Sequence, residues 1–154
     1  MSSPVGAAAD PVHLSAAELI NEHVNLIAQG DVARWRSSIF AVNGVWELPY
    51  GASCGMPTKL IGLDAMVEAV ELFINGCEGM QFTRPKVTVV SPSEAFAEYE
   101  VTCKVLATQK TYHQNYIVYA KAEQGRLILL REYFDSVRLM EAFQYTRTMH
   151  SPIN

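Results

Sequence analysis

The hydrophobic pattern changes period once, near Met80, and this change constrains the fold more than any other feature. Before it, apolar residues recur at helical spacing in three stretches, and after it four strand-like segments follow one another. These segments are QFTRPKVTVV, EAFAEYEVTCKVLAT, TYHQNYIVYAK and RLILLREYF. Because the turns between them are short, neighbouring strands are predicted to pair antiparallel. The pattern predicts an α+β domain, with three N-terminal helices packed on one face of a curved, mostly antiparallel sheet.

Polar signals mark the first two helices. Ser15 and Glu18 form the capping box S-x-x-E at the start of the first helix, and Gly30 ends it. Asp31 is positioned to cap a second, short helix. These signals predict both ends of the first helix and the start of the second, which is predicted over DVARWRSSIF.

A strand is predicted next, over GVWELPYG. The dipeptide Asn43-Gly44 before it is typical of a turn. Glu47 alternates with Trp46 and Leu48, so it faces away from the large apolar side chains. We therefore interpret Glu47 as a solvated surface carboxylate.

The composition limits the class of protein. The chain has 154 residues, of which 49% are hydrophobic, and a formal net charge of −4. This length fits one domain, predicted over residues 14–146, between a flexible arm at 1–13 and a tail at 147–154. The acidic balance gives no basic surface for nucleic acid. No apolar stretch is long enough for a membrane span, and the N-terminus lacks the pattern of a secretory signal.

Three cysteines, Cys54, Cys77 and Cys103, are widely spaced and form no CxxC motif. An odd number of separated cysteines is typical of free thiols in a reducing compartment. The expected location is therefore the cytoplasm. The four histidines do not lie at metal-ligand spacing, and no phosphate-binding or dinucleotide-binding motif is present. The sequence predicts neither a metal nor an organic cofactor.

Glu132 is the first candidate for a catalytic residue. In the last strand-like segment it shares one face with Ile128, Leu130 and Phe134, which are all apolar. A carboxylate on such a face is costly unless it is paired, and burial raises a carboxyl pKa into a range suited to proton transfer. The alternative is a structural ion pair with a neighbouring strand.

Further polar side chains alternate along the neighbouring segments. His113, Asn115 and Tyr119 share one face of the third segment, and Glu98 lies on one face of the second. The sequence does not fix the register, so it does not fix which polar residues share a face with Glu132. If they face the helices, a carboxylate, an imidazole and a carboxamide meet in one pocket, which suits proton transfer beside a carbonyl. If they face outward, they form a solvated sheet surface.

The remaining site candidates are large or polar side chains expected in the pocket wall. They are His23, Trp46, Tyr50, Phe73, Glu98, Tyr119 and Phe134. His23 lies within the apolar stripe of the first helix, with Leu19 and Ile27 four residues away on either side. A histidine in that position is either a satisfied core residue or part of the site.

Together with Gly30-Asp31 and the segment IGLDA at 61–65, three longer stretches carry a resemblance to a known family. They are FAVNGVWELPY at Phe40–Tyr50, NYIVY at Asn115–Tyr119 and LREYFDSVRLMEAF at Leu130–Phe143. Together they resemble the SnoaL-like, ketosteroid-isomerase-like proteins of the nuclear transport factor 2 superfamily. The resemblance implies a cone-shaped α+β barrel whose curved sheet wraps a long helix around an apolar pocket. It also implies a small apolar metabolite as ligand and a homodimer formed through the sheet.

The resemblance also relates individual positions. The base aspartate of the steroid isomerases corresponds to Leu48 here, their oxyanion-binding tyrosine to His23, and their protonated aspartate to Asn115. The last segment looks closer to the phenazine-biosynthesis branch, whose acid–base glutamate corresponds to Glu132. A histidine on the third helix of that branch corresponds to Ala69.

These observations lead to one functional prediction and two alternatives. The prediction is a cofactor-independent isomerase, cyclase or dehydratase that acts on a small apolar metabolite bearing a carbonyl or hydroxyl group. Glu132 would transfer the proton, and Asn115 or His113 would polarise an oxygen. The alternatives are a non-catalytic binding module and a dimerisation module whose pocket is filled by aromatic side chains.

Overall fold

The computed structural model describes residues 12–144. Within this range the helices are α1 (Ala16–Gln29), α2 (Val32–Ser38), α3 (Leu63–Gly76) and α4 (Ser136–Phe143), with a short 3-10 helix at Gly51–Cys54. The strands are β1 (Phe40–Glu47), β2 (Lys59–Ile61), β3 (Cys77–Phe82), β4 (Lys86–Ser91), β5 (Glu94–Val105), β6 (Thr111–Glu123) and β7 (Arg126–Tyr133). The predicted tail, and the predicted arm except for its last two residues, lie outside the described residues.

The helix boundaries follow the capping signals in the sequence. At the start of α1, the Ser15 amide donates to the Glu18 carboxylate at 2.7 Å, and the Glu18 amide donates to Ser15 Oγ at 3.2 Å. Gly30 ends α1 in the left-handed conformation, with φ 69°. Asp31 caps α2 through the Arg34 amide at 3.1 Å. The predicted boundaries of α1 and the predicted start of α2 are confirmed, whereas Phe40, which the sequence placed in the second helix, is the first residue of β1.

The strands form one curved, open sheet in the order β2-β1-β7-β6-β5-β3, and β4 also pairs with β5. All neighbouring pairs are antiparallel except β1 and β7, which are parallel. The sheet is therefore mixed, mostly antiparallel and not closed into a barrel. The α+β class is confirmed, with three helices before β3 and one short helix after β7.

Two local predictions were wrong. Asn43-Gly44 is not a turn, because both residues lie inside β1, where the register with β7 shifts. A Cβ on Gly44 would lie 3.0 Å from the carbonyl oxygens of Ala41 and Leu127, so this close approach requires glycine. The segment predicted as one strand over QFTRPKVTVV is interrupted at 83–85, and β3 and β4 pair separately with β5.

The core lies between the inner face of the sheet and the helices. From α1 it receives an apolar stripe of Leu19, Ile20, Val24 and Leu26, all buried. Helix α3 packs against β1, β2 and β3, and α4 packs against β6. The helices therefore cover one face of the sheet, and the other face stays open in the single chain. No helix within residues 12–144 is long and apolar enough to cross a membrane.

Candidate functional site

A cavity of about 130 Å³ lies between the inner face of the sheet and helices α1, α3 and α4. Its wall combines aromatic rings with aliphatic side chains, the latter including Ile27, Leu48, Met56, Leu60, Val70 and Leu139. The polar side chains in the wall are one carboxyl group, one imidazole and three phenols, together with the Trp46 indole. The cavity is thus an apolar space with few hydrogen-bonding groups.

Glu132 lies in the floor of this cavity, on β7. It pairs across the sheet with Val118, so the two side chains point to the helix-covered face. The residue is 9% exposed, and within residues 12–144 its carboxyl group has no hydrogen bond or ion pair. Burial raises the pKa of this carboxyl group to about 8. Glu132 is therefore a neutral acid at pH 7, and the alternative of an ion pair with a neighbouring strand is not observed.

Three tyrosines that were not candidates from the sequence line the same cavity as Glu132. Tyr99 on β5 and Tyr112 and Tyr116 on β6 all line the cavity. The hydroxyl oxygens of Tyr112 and Tyr116 are 3.1 Å apart and share a hydrogen bond. Burial is the largest cause that raises the pKa of each phenol above its usual value. The sequence alternation correctly predicted that Tyr112 and Tyr116 share one face of their strand. It did not indicate whether that face is covered by the helices or faces outward.

Gln114 fixes one end of this phenol pair. Its side-chain amide donates to the Tyr112 hydroxyl at 3.1 Å and to the Asp135 carbonyl at 2.8 Å. Its side-chain oxygen accepts from the amides of Asn115 at 3.1 Å and Asp135 at 3.0 Å. Asp135 in turn caps α4 through the Val137 amide at 2.9 Å. Gln114 therefore joins the phenols of the cavity wall to helix α4, which contributes Leu139 to the same wall.

His23 reaches the cavity from α1. The Trp35 indole donates to His23 Nδ1 at 3.0 Å, and the His23 ring makes an edge contact with Trp46 at 5.4 Å. Burial lowers the pKa of His23 to about 4, so the ring is neutral at pH 7. His23 is thus at once a hydrogen-bonded core residue and part of the cavity wall.

Other predicted wall residues lie in the cavity too. Trp46, Phe73 and Phe134 all line it. The buried Trp46 indole N–H has no hydrogen-bond partner within residues 12–144. Leu48 and Ala69, which correspond by resemblance to a base and a histidine in relatives, also face this space. Among the lining residues of the described chain, Glu132 has the one carboxyl group.

His113 and Asn115 do not share the cavity with Glu132, and this corrects the first expectation for them. Both lie on the opposite face of β6 from Tyr112, Gln114 and Tyr116, and both are exposed. His113 Nε2 is 3.8 Å from the Glu100 carboxylate. Asn115 accepts a hydrogen bond from Arg138 at 3.4 Å. The register directs these side chains outward, so they cannot polarise a ligand oxygen in the cavity.

Three further candidates also lie outside the cavity. Glu98 is exposed on the outer face of β5. The Tyr119 hydroxyl donates to the Glu94 carboxylate at 2.8 Å, also on the outer face. Tyr50 is half exposed and packs against Tyr133 with ring centres 5.7 Å apart. None of the three lines the cavity.

Glu47 was expected to be a solvated carboxylate, and its side chain is only partly exposed to solvent. It lies on the outer face of β1, as the alternation predicted, but it is partly buried. Its carboxylate accepts a hydrogen bond from Arg131 at 2.7 Å. This ion pair joins the parallel strands β1 and β7.

In the described part of the chain, no cluster of three or more histidine, cysteine or acidic side chains could hold a metal ion.

Comparison with known proteins gives related chains of the same fold. The model of the SnoaL-like domain family matches residues 20–129. The chain is 26% identical over 129 residues to an uncharacterised protein of Bacillus subtilis, YesE, covering 83% of this chain and 86% of that protein. A crystal structure from Bacillus subtilis, provisionally described as an isomerase, has a TM-score of 0.75 at 25% identity and covers 85% of this chain and 94% of that one.

A second solved structure is a phenazine biosynthesis-related protein from Pseudomonas aeruginosa. It has a TM-score of 0.64 at 18% identity, and the match covers 90% of this chain and 97% of that one. At this identity the likeness shows the fold alone. The phenazine branch that the last strand resembled is thus among the structural neighbours.

Proposed function

The chain belongs to the SnoaL-like domain family, and we propose that it is a cofactor-independent enzyme that performs acid–base chemistry on a small metabolite in this cavity. The reaction class is isomerisation, cyclisation or dehydration. The substrate is largely apolar and bears a carbonyl or hydroxyl group.

One observation carries this proposal, namely the state of Glu132. A purely structural carboxylate in an apolar wall would be paired, because burying an unpaired charge is costly. Glu132 instead has no partner within residues 12–144 and a pKa of about 8. A carboxyl group whose pKa lies near neutral pH is suited to both giving and taking a proton.

The Glu132 carboxyl group can both give a proton to the substrate and accept one from it. Its O–H donates a proton to the substrate oxygen while its other oxygen accepts the proton from the adjacent carbon. The carbonyl compound becomes an enol, and Glu132 stays neutral with its proton on the other oxygen. In a dehydration the same exchange releases the hydroxyl group as water and forms a carbon–carbon double bond. No cofactor is needed for either step.

Enolisation tests the proposal without knowledge of the natural substrate. Cyclohexanone dissolved in D₂O exchanges its α-hydrogens only through an enol or enolate, and NMR measures the rate. The protein is expected to accelerate this exchange, and Glu132→Gln to remove roughly 10²–10⁴-fold of the acceleration. Because the acid form is the active one, the rate is expected to fall as pH rises through about 8.

A matched control separates the role of Glu132 from an effect of surface charge. Glu98→Gln removes a carboxylate from the exposed outer face of β5, and its exchange rate is expected to equal that of the wild type. An unchanged rate in Glu132→Gln, with folding intact, would exclude Glu132 as the acid–base group. A wild-type rate no faster than that of buffer would favour a protein that binds without chemistry.

That second function, a non-catalytic binder, has its own supporting observation. Leu48 and Ala69 make the wall apolar at two positions where relatives, by resemblance, carry reactive side chains. A binder is expected to tolerate Glu132→Leu and to hold an apolar ligand more tightly, because the substitution removes a buried polar group. An enzyme is expected to lose its exchange activity in the same variant.

We also propose that the protein forms a homodimer through the outer face of the sheet. This face carries apolar side chains that the helices do not cover, including Phe96 at 43% exposure and Ile117 at 47%. The rings of Phe96 and Tyr119 lie 5.0 Å apart, and the Arg131 guanidinium lies 5.5 Å from the Tyr119 ring centre. Aromatic residues and arginine are enriched at protein interfaces.

A reducing compartment, the cytoplasm, is the location we propose. The observation that supports it is the state of the thiols, since Cys54, Cys77 and Cys103 are all free and buried.

A further inference from the structure

Trp46 carries a hydrogen-bond donor without a partner in the wall of the cavity. The residue lies on β1, is 8% exposed and lines the cavity. Within residues 12–144 its buried indole N–H has no acceptor. An indole nitrogen only donates, so the group cannot be satisfied by accepting a hydrogen bond instead. The folded protein therefore keeps an unsatisfied donor beside an apolar space, which is unfavourable until an acceptor arrives.

The other tryptophan of the chain shows the contrast. The sequence has two tryptophans, and the Trp35 indole donates to His23 Nδ1 at 3.0 Å. Trp35 is fully buried and is not among the residues that line the cavity. The indole that has its partner within the protein thus lies away from the cavity, whereas the indole without one belongs to the cavity wall.

Aromatic neighbours hold the Trp46 ring in place. Phe40 stacks on it with ring centres 6.0 Å apart and an interplanar angle of 22°, and the Trp35 ring lies 6.1 Å away. The His23 ring makes an edge contact with it at 5.4 Å. The face of an aromatic ring is only a weak acceptor for an N–H group. These contacts restrict rotation of the indole, so the donor cannot readily turn towards a better partner.

The position of Trp46 places this donor near Glu132. Trp46 pairs with Leu130 across the parallel strands β1 and β7, and Glu132 is two residues further along β7 on the same face. Both Trp46 and Glu132 line the cavity. The indole donor and the carboxyl group therefore lie on adjoining strands of one wall, where a single small ligand can contact both.

We infer that the Trp46 indole N–H binds and orients the ligand of the cavity by donating a hydrogen bond to a neutral oxygen atom, such as that of a carbonyl or ether group. A carboxylate is disfavoured as the acceptor, because no lysine or arginine lines the cavity among residues 12–144 to pair with it. The inference rests on the proposed function in that both place the ligand in this cavity, but it concerns binding and not turnover.

The donor is directly observable by NMR. In ¹⁵N-labelled protein the two indole N–H groups give two signals, and Trp46→Phe identifies one of them by removing it. Cyclohexanone and methylenecyclohexane have nearly the same shape, and only the ketone carries an acceptor oxygen. The ketone is expected to shift the Trp46 indole proton downfield, as a new hydrogen bond does, and the hydrocarbon is not. The Trp35 signal is the internal control, since its N–H already has a partner.

The wild-type spectra decide the inference even if Trp46→Phe does not fold, because the signals can then be assigned through their contacts with neighbouring protons. A Trp46 signal that responds alike to both rings would show that the N–H does not donate to the ligand and would overturn the inference. Absence of ketone binding would overturn it as well.

Affinities provide a second test. Trp46→Phe keeps an aromatic ring but removes the donor, and calorimetry measures the binding of both ring compounds. The substitution is expected to weaken ketone binding about 5-fold more than it weakens binding of the hydrocarbon. The comparison between the two compounds corrects for the change in cavity size. Tyr119→Phe, which removes a hydroxyl on the outer face, is the control variant and is expected to alter neither affinity. Equal weakening for both compounds would contradict the role of Trp46.

The two proposals fail separately. Glu132→Gln is expected to lose the exchange activity and to keep the downfield shift of the Trp46 signal with the ketone. If that shift is present but the exchange rate is unchanged in Glu132→Gln, the acid–base role of Glu132 is wrong and the role of Trp46 stands. If the exchange is lost in Glu132→Gln but the ketone leaves the Trp46 signal of the wild type unshifted, the role of Trp46 is wrong.

Discussion

Glu132 and His23 share one cavity, and burial shifts their pKa values in opposite directions. The pKa of Glu132 rises from 4.5 to about 8, and that of His23 falls from 6.5 to about 4. In both cases burial disfavours the charged form. At pH 7 the two groups are therefore neutral, and their protons are placed by the protein rather than by the solvent.

These shifts predict how stability depends on pH. Above pH 4.5 the unfolded chain loses the Glu132 proton that the folded chain keeps, so stability falls as pH rises towards about 8. Below pH 6.5 the unfolded chain binds a proton on His23 that the folded chain refuses, so stability falls as pH drops towards about 4. The two slopes oppose each other between pH 4.5 and 6.5, and Glu132 acts alone above that.

We expect the wild type to lose about 2 kcal/mol of unfolding free energy between pH 6.5 and 8, from a slope of about 1.4 kcal/mol per pH unit. Glu132→Gln cannot ionise, so its stability is expected to stay level over the same range. Urea unfolding at several pH values measures both proteins. The same slope in both would show that Glu132 titrates normally, and Glu98→Gln serves as a surface control.

The sequence predicted the buried face of a strand for some residues of the site and not for others. Alternation along the last strand was enough to select Glu132 and Phe134, because their apolar neighbours indicated the buried face. For His113 and Asn115, both faces of the strand carried polar and aromatic side chains, so alternation did not identify the inner one. The inner tyrosines Tyr112 and Tyr116 were missed for the same reason.

At the scale of secondary-structure elements, the side chain of Gln114 links β6 to the start of α4 beside the cavity. Gln114 makes four hydrogen bonds there, two of them to the backbone of Asp135. Its side chain is fully buried. Leu139 of α4 lines the cavity, so the position of this short helix helps to set the size of the space.

Replacing Gln114 with leucine is expected to destabilise the protein by roughly 2–4 kcal/mol, because it leaves buried donors and acceptors without partners. Thermal or urea unfolding measures this loss. Gln81→Leu is the matched control, since Gln81 is exposed on β3 and its replacement is expected to change stability by less than about 0.5 kcal/mol. A similarly small effect of Gln114→Leu would show that water satisfies these groups.

Local signals predicted the helices well, because capping depends on residues close in sequence. Ser15, Glu18 and Asp31 act within one turn of the helix start. The role of Gln114 depends on a residue of another element, 21 positions later in the chain. Nothing in the local pattern indicates such a partner. The division of QFTRPKVTVV into β3 and β4 was missed because it also depends on a distant partner, since each strand pairs separately with β5.

At the scale of the whole molecule, the face of the sheet that the helices do not cover is the proposed dimer interface. Ile117→Glu places a charge in the middle of β6 on that face, directly across from Glu98, and is expected to give a monomer, because like charges on opposed strands repel and a buried charge without a partner is unfavourable. Light scattering after size-exclusion chromatography measures the mass. Leu72→Glu, which alters an exposed apolar residue of α3, is expected to leave the dimer intact. A monomeric wild type would exclude the interface.

The parallel pairing of β1 with β7 has a consequence for the order of folding. Strand β1 is synthesised early, yet its partner on one side, Arg126–Tyr133, is close to the far end of the described chain. Contacts between such distant residues form slowly, and a strand edge that waits for its partner invites wrong pairing. Until β7 has been synthesised, β1 therefore has one edge without its native partner. The cavity, with Glu132 in its wall, forms only when β7 pairs with β1.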